Sequence, residues 1–572
     1  MKLNQEQADA VATEGHVMVI ATAGSGKTAM TIAKVAHILR SDPLARVCLV
    51  VFNAAAGQEI RERLKKRNVP TERIITGTYH SLALRQLKSS GKPVNLAVGA
   101  GLYQVYSEAW DMAGHPCEYH DIGTTIDQYK TDMRAHTGPA EFKSDHIDEP
   151  GFTLYEAYQD LLHRYRLTDF TDLLVQSVLG MATGTIKPLP MTHLLADEFQ
   201  DTDPIQMTWL HLHASLTGAT MTVVGDDDQT IYEFRHALGY SGFVGFEETY
   251  KARRITLGRN YRSRSEILDP ANTLIHRNDQ RLAKTLVSER GEGGEVTIAP
   301  CLRGELEECK AIVEWLNSNP DSERAILART NRALDTLAMF LKESAIPFLR
   351  MGGESFWDLP PIQLLLTSLD YLTGYSRRPL AKNQIMDALG GPGGDDGNVA
   401  TSVQLEAFEQ LAAHGKRVEG QTGDGLSNFI ETVHTFLLRN VLWELPMYRA
   451  VSYKVMAPAV KSLTKAKGSW AQRRTSTQLK STPPATLPRL LTFHGSKGLE
   501  FQNVWILGAQ EGKIPPTSSD TGRDALEQER RLFFVAMTRA KDTLVISHYG
   551  TPCLFVDELQ IFEEEEAHVE EI

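Results

Sequence analysis

The residues Ala21-Thr22-Ala23-Gly24-Ser25-Gly26-Lys27-Thr28 have the types and spacing of a loop that cradles phosphates. Glycines let backbone N–H groups curl around a triphosphate, and the N-terminus of a following helix adds positive potential. Lys27 then reaches the β/γ-phosphates, and the Thr28 hydroxyl is placed to ligate Mg2+. A second stretch, His193 to Asp201, delivers two adjacent carboxylates: Asp197 to hold Mg2+, and Glu198 to orient and deprotonate a water. Together they predict nucleoside triphosphate hydrolysis. A third stretch, Thr222 to Arg235, joins Asp226, Asp227, Asp228 and Gln229 to Tyr232, Phe234 and Arg235. Stacking faces beside a phosphate contact are what single-strand binders use. Three successive aspartates repel one another unless cations are near, and the metal of the phosphate loop gives them a reason to sit there.

These residues need elements to hold them. Val17 to Ile20 reads as a strand and Ala29 to Leu39 as a helix, so the loop has the strand, tight turn, helix context its chemistry requires. A glycine-rich turn before an ordinary helix would share the same eight residues; the context selects the phosphate-binding reading. Leu3 to Val11 is predicted helical, with the Gln7 amide directed at the donor and acceptor edge of an incoming base. Val47 to Phe52 and Ile74 to Leu82 follow as strands, the latter ending in the polar, aromatic turn Thr78-Tyr79-His80. Loops at the carboxyl ends of such strands are where α/β domains place ligands. From Lys88 to Tyr165 the alternation stops and an aromatic-rich, mainly helical insertion is expected; the core resumes at Asp169 to Leu174. A second α/β series, with strands near Glu295, Ala325, Val504 and Thr543, is interrupted between Gly374 and Leu487. That interval holds the loop-like Gly390 to Gly397 and a Ser/Thr/Lys-rich piece from Trp470 to Pro484, read as a linker.

A chain of 572 residues predicts two to four domains. Its 42% hydrophobic and 23% charged residues fit a globular protein, and no apolar run approaches the roughly 18 residues of a membrane span. The start lacks the apolar core of a signal peptide. Cys48, Cys117, Cys301, Cys309 and Cys553 have no CxxC spacing, which argues against a disulfide framework or a structural zinc site and for a reducing cytoplasm. The net charge of −12 reports solubility, and local patches decide binding. Much of the excess lies in 557–572, read as a solvated acidic tail that could meet a protein partner. The basic runs Arg61 to Arg67 and Lys461 to Lys480 fit either a wet helix face or an anion contact.

In order and spacing this set resembles the superfamily 1A helicases of the UvrD/Rep/PcrA type, along nearly the whole chain. Leu3 to Gln7 resembles the Q-motif and Ala21 to Thr28 motif I, where the family often has Ala first. Phe52 to Ile60 resembles motif Ia only loosely, because Asn53-Ala54-Ala55 replaces the family's Thr-Asn-Lys pattern. Thr78 to Ser81 resembles motif Ib, Asp197 to Gln206 motif II, and Gly225 to Arg235 motif III, with Phe234 where Trp is common. Asn260 to Ser263 resembles motif IV, His494 to Phe501 motif V, and Val535 to Ala540 motif VI. The implied fold is α/β: two RecA-like parallel-sheet core domains in tandem, each with a mainly helical inserted subdomain. The implied boundaries are 1–87 with 166–255 for the first core and 88–165 for its insertion. The second core takes 256–373 with 487–556, and 374–486 holds a reduced second insertion plus linker.

The resemblance implies that ATP and Mg2+ are bound by Gln7, the loop Ala21 to Thr28, Asp197, Tyr261 against the adenine, and Glu500 near the ribose. Arg262 and Arg539, from the second core, would act as arginine fingers, and Gln229 would sense the γ-phosphate. Phe52, Thr78, Tyr79, His80, Tyr232, Phe234, Arg235 and His494 would meet the strand. The implied activity is an ATP-dependent, 3′-to-5′ single-stranded DNA translocase and helicase working at single-strand/duplex junctions. It would be cytoplasmic and monomeric, away from membranes, and encoded by a bacterium, plasmid or phage. A translocase that mainly strips proteins or remodels forks is the second reading, favoured by the short second insertion. A nucleotide-gated DNA-binding scaffold is the third, and it predicts missing catalytic groups, whereas Lys27, Thr28, Asp197, Glu198, Arg262 and Arg539 are present. DNA rather than RNA comes from the resemblance alone, since stacking and phosphate contacts do not read the 2′-OH.

Overall fold

The computed structural model describes residues 3–97, 100–232, 236–301, 304–344, 346–350, 360–375, 385, 402–418, 421–441, 456–474, 486–516 and 522–560. Phe234, Arg235, Gly390 to Gly397, 475–485 and the acidic run from 561 lie outside them. The chain divides into two units, 1–262 with 275–290, and 263–274 with 291–572.

The first unit is built on a six-stranded sheet in the order β3-β2-β4-β5-β1-β6. Its strands are β1 (Val17–Ala21), β2 (Val47–Val50), β3 (Ile74–Gly77), β4 (His193–Ala196), β5 (Thr220–Gly225) and β6 (Arg253–Leu257). Every pairing is parallel. A parallel sheet must be covered on both faces, which is why β1, β2 and nearly all of β4 and β5 read as unbroken buried runs rather than alternating ones. Helix α1 (Gln5–Ala12) precedes the sheet, α2 (Lys27–Ser41) follows β1, α3 (Ala54–Lys66) follows β2 and α4 (Tyr79–Ser89) follows β3. The expected strand to Leu82 is therefore shorter. The Thr78 hydroxyl accepts the Ser81 N–H at 3.3 Å as a helix N-cap, and Tyr79 and His80 lie on a helix rather than in a turn.

The expected insertion is helical, with α5 (Ala100–Met112), α6 (Ile122–Lys130), α7 (Arg134–Thr137), α8 (Pro139–His146) and α9 (Pro150–Tyr165). It has its own core of Val105, Ala109, Ile126, Phe142, Tyr158 and Leu161. Lys130, fully buried, ties it to helix α10 (Phe170–Ala182) by ion pairs to Asp169 and Asp172 at 2.7 and 2.8 Å. The segment from Asp169 is thus a capped helix, Asp169 accepting the Asp172 N–H at 2.9 Å.

The chain passes to its second unit later than the expected boundary at 256 and then returns. Strand β7 (Arg259–Asn260) pairs with β8 (Val287–Ser288), and 275–290 belongs to the first unit. The reason is local. The Glu6 carboxylate accepts the Gly258 N–H at 3.0 Å, and the Asn260 amide donates to the Ala23 carbonyl at 2.7 Å.

The second unit holds another six-stranded parallel sheet, in the order β11-β12-β10-β13-β14-β9. Its strands are β9 (Glu295–Pro300), β10 (Arg324–Ala328), β11 (Leu349–Arg350), β12 (Arg489–Thr492), β13 (Phe501–Leu507) and β14 (Ala540–His548). Its insertion begins before Gly374, because the helix Pro360–Leu372 buries Ile362, Leu366 and Leu369 in one core with Phe429, Val433 and Leu463. Trp470 belongs to that core rather than to a linker: its indole N–H donates to Asp370 at 2.8 Å. The start of the expected acidic tail is also folded, since Glu558 is buried against Arg530 through two hydrogen bonds of 2.8 and 2.9 Å. The Arg61 to Arg67 run lies mostly exposed at the end of α3, where Arg63 pairs with Glu59 one turn back.

Candidate nucleotide and strand site

The phosphate loop leaves β1 and turns into α2 through Gly24 and Gly26, with φ of +66° and +78°. Both positions need glycine twice over, because a Cβ at Gly24 would lie 2.8 Å from the Arg262 Cβ and one at Gly26 2.8 Å from the Gln7 amide. Ser25 is buried, and its hydroxyl has no partner among the described residues. An orphaned hydroxyl on a left-handed glycine loop at a helix N-terminus suits phosphate oxygens.

Lys27 donates to the Glu198 carboxylate at 2.9 Å, and burial alone would depress it, but Glu198, Asp226 and Asp197 together hold it above its ordinary value. Burial and the adjoining Glu198 push Asp197 up to about 7, against the pull of Lys27. A half-buried acid pair beside one lysine is a donor set short of positive charge. Thr28, at the start of α2, and Asp197, just after β4, carry oxygens of the kind that could hold a Mg2+ alongside phosphates and water.

From Glu198 a buried chain of amides leads away. The Gln200 amide donates to Glu198 at 2.7 Å, its oxygen accepts the Asp226 N–H at 3.0 Å, and Asp226 accepts the Gln229 amide at 2.6 Å. Gly225 makes this possible, because a Cβ there would stand 2.3 Å from the Gln200 oxygen. The aspartates expected beside the metal of the phosphate loop have protein cations as partners instead. Lys284 lies 2.6, 2.9 and 3.4 Å from Asp227, Asp228 and Asp226, and Arg281 lies 2.7 Å from Asp228.

Two expectations about the nucleotide residues change. Gln7 does not point outward: it is 2% exposed, its oxygen accepts the Asn4 N–H at 3.2 Å, and its NH2 donates to the Ser25 carbonyl at 2.9 Å. Arg262 comes from the first unit, where Tyr261 N–H donates to the Gly24 carbonyl at 2.9 Å and Arg290 holds the Arg262 carbonyl at 2.8 Å. Tyr261 keeps an exposed ring, and its hydroxyl accepts the Asn4 amide at 2.9 Å. In the second unit Arg539 is buried, donating to the carbonyls of Val535 and Leu499 at 2.8 and 3.1 Å. Glu500 pairs with Lys541 at 3.0 Å, and His494 opens a short 3-10 turn, His494–Ser496.

Of the expected strand residues, Phe52 and Tyr232 stack, with ring centroids 5.7 Å apart and planes 15° from parallel. His80 packs edge-on against Phe170 at 5.9 Å, and burial lowers its pKa. Tyr79 is a core residue whose hydroxyl meets Thr202, and Thr78 spends its hydroxyl on the α4 cap. A cavity of about 640 Å3 is lined by Phe52, Thr78, Tyr79, His80 and Tyr232, by Asp197 and Glu198, and by Thr124 and Asp127 of the insertion. Asn4, Gln200, Arg281 and Lys284 escaped the sequence reading. Asn4 had a signal, standing three residues before Gln7 at a helix start, where a capping box forms. Lys284, 57 residues beyond Asp227 in sequence, had none.

A glycine loop with its lysine, an acid pair at the end of β4 and a parallel sheet define a P-loop nucleoside triphosphatase. Two family models then cover the chain: the UvrD/REP helicase N-terminal domain matches 3–251, and the UvrD-like helicase C-terminal domain matches 255–383 and 476–551. The chain therefore belongs to the UvrD/Rep family of ATP-dependent DNA helicases. Among similar curated proteins are DNA helicase II of Haemophilus influenzae, 26% identical over 97% of this chain and 85% of its own length, and DNA helicase II of Escherichia coli, 26% identical over 97% and 86%. The ATP-dependent DNA helicase PcrA of Leuconostoc citreum is 25% identical over 97% and 82%. No described helix is long and apolar enough to cross a membrane.

Proposed function

We propose that this chain couples ATP hydrolysis to 3′-to-5′ stepping along single-stranded DNA and to unwinding at single-strand/duplex junctions. The observation that carries the reading is that the Phe52–Tyr232 stack and the Asp197–Glu198 pair line one cavity. Strand occupancy and water activation then share one cavity, so each can bias the other. The polarity rests on likeness to the family.

In this reading Lys27 binds the β/γ-phosphates, and Glu198 takes the proton of the attacking water. Thr28 and Asp197 would hold Mg2+, which supplies charge neutralisation on the phosphates. Gln229, fixed by Asp226, senses the γ-phosphate. Tyr261 stacks on adenine, and Arg262, beside the phosphate loop, and Arg539 stabilise the transferring charge. Phe52 and Tyr232 grip a base at roughly 1–3 kcal/mol, enough to keep register and little enough to release each cycle. His494 adds a strand contact from the second unit. The enzyme acts in the cytoplasm as a monomer.

ATP turnover with single-stranded DNA, single-stranded RNA and no nucleic acid tests this, with Glu198→Gln as the control. Strong stimulation by DNA, abolished in E198Q, is expected; turnover indifferent to nucleic acid would overturn the motor. A tailed duplex run beside a protein-displacement assay separates unwinding from stripping.

A further inference from the structure

The loop after β5 places three carboxylates side by side with no side-chain exposure, and desolvating even one is costly unless it is paired. Their partners come from 275–290, the stretch that returns to the first unit. Lys284, also without side-chain exposure, reaches all three aspartates; Arg281 grips Asp228 through two hydrogen bonds of 3.0 and 2.7 Å; and the Leu282 N–H donates to Asp227 at 2.7 Å. Burial alone would lower Lys284, but Asp228, Asp226 and Asp227 outweigh it and hold its ammonium charged. Leu282 is itself packed in the sheet core, so the cage is fastened to that core.

Asp226 has two duties in this cage. One carboxylate oxygen lies 3.4 Å from Lys284, and the other accepts the Gln229 amide, which turns the amide oxygen of Gln229 to a fixed side. Its N–H is held by Gln200, which also holds Glu198. Tyr232 follows three residues after Gln229. A displacement of this loop is therefore felt at the water-activating carboxylate and at the stacking ring together.

We propose that Lys284, backed by Arg281, is a positioning residue that sets the Asp226–Gln229 loop and so transmits strand occupancy to hydrolysis. The proposal rests on the motor reading above. It assigns the coupling to a charge cage outside the phosphate loop and its acid pair, carried by the stretch 275–290.

The test compares the full-length wild-type chain, Lys284→Met and Arg281→Gln in steady-state ATP turnover, with and without saturating oligo-dT. A wild-type enzyme that oligo-dT does not stimulate overturns the motor reading, whatever the variants do. Given wild-type stimulation, K284M is expected to keep KM for ATP within about two-fold and to lose about ten-fold in stimulated kcat, with R281Q losing about three-fold. A merely structural role would shrink the active fraction and scale stimulated and unstimulated rates together. An unchanged ratio of the two rates in both variants overturns the proposal. Should K284M fail to fold, R281Q decides alone, because it leaves Lys284 in place: a lowered ratio supports the cage and a wild-type ratio rejects it.

Discussion

Gln7 offers the sharpest separation between two physical roles for one side chain. The motif resemblance makes it a reader of adenine, whereas its amide is spent on the Asn4 N–H and the Ser25 carbonyl. Gln7→Glu keeps the shape and replaces the NH2 by an oxygen 2.9 Å from the Ser25 carbonyl. A lost hydrogen bond plus two buried acceptors facing each other costs about 2 kcal/mol or more. For a unit of this size that lowers the unfolding midpoint by roughly 4–8 °C at neutral pH. The introduced carboxyl can restore the bond by taking a proton, so its folded pKa is raised. The lost stability then returns as pH falls toward the ordinary carboxyl range and is absent well above it. Because the damage is to the phosphate loop, KM should rise by a similar factor for ATP and GTP. Thermal melts between pH 5 and 8, with KM for both nucleotides, measure this. An unchanged midpoint with a reversed ATP/GTP preference would refute the buttress role and restore the base-reading one.

Three further outcomes are expected. Phe52→Ala removes one half of the aromatic stack and should weaken single-stranded DNA binding by about 1–3 kcal/mol, roughly 5- to 150-fold, with the salt slope unchanged; anisotropy titrations at two ionic strengths report both, and a changed slope at constant affinity contradicts the stacking role. Trp470→Ala should cost about 3–5 kcal/mol in denaturant unfolding, as for a buried indole, whereas a linker residue would cost almost nothing. Burial pushes Asp203 up to about 6 against its helix-cap hydrogen bonds, so the stability it contributes is full below about pH 4 and lost as pH rises through 6. Asp203→Asn keeps the cap and lacks that titration, so its melting midpoint should gain on the wild type as pH rises from 5 to 7.5, and a constant difference would rule the titration out.

Much of the fold was legible because its signals are local. The unbroken apolar runs of β1 and β2 announce a parallel sheet covered on both faces, and the turn from Gly24 to Gly26 announces its own backbone. Orientation was less legible. Thr78-Tyr79-His80 has the composition of a polar turn, yet one hydroxyl caps a helix and one ring enters the core, since a motif fixes residue types and not the side they face. The place of Arg262 was illegible for a similar reason: contacts such as the Asn260 amide on the Ala23 carbonyl and the Tyr261 N–H on the Gly24 carbonyl keep it with the phosphate loop, and no spacing announces them. Trp470 stood in a stretch whose composition resembled a linker, and one indole outweighed its neighbours. The charge balance of Asp226 to Asp228 was foreseen as a need for cations, but Lys284 and Arg281 are distant in sequence and no spacing rule reaches them.

The ion pair between Lys27 and Glu198 has a consequence for nucleotide affinity. An arriving triphosphate meets an ammonium already engaged with a carboxylate, so its entry is an ion exchange, and the measured affinity is the difference between two pairings rather than the strength of one. Neutralising Glu198 then removes a competitor as well as a base. E198Q is expected to stop turnover while holding ATP more tightly than the wild type does, and the carboxylate proposed as the base then also limits how strongly the loop holds its nucleotide.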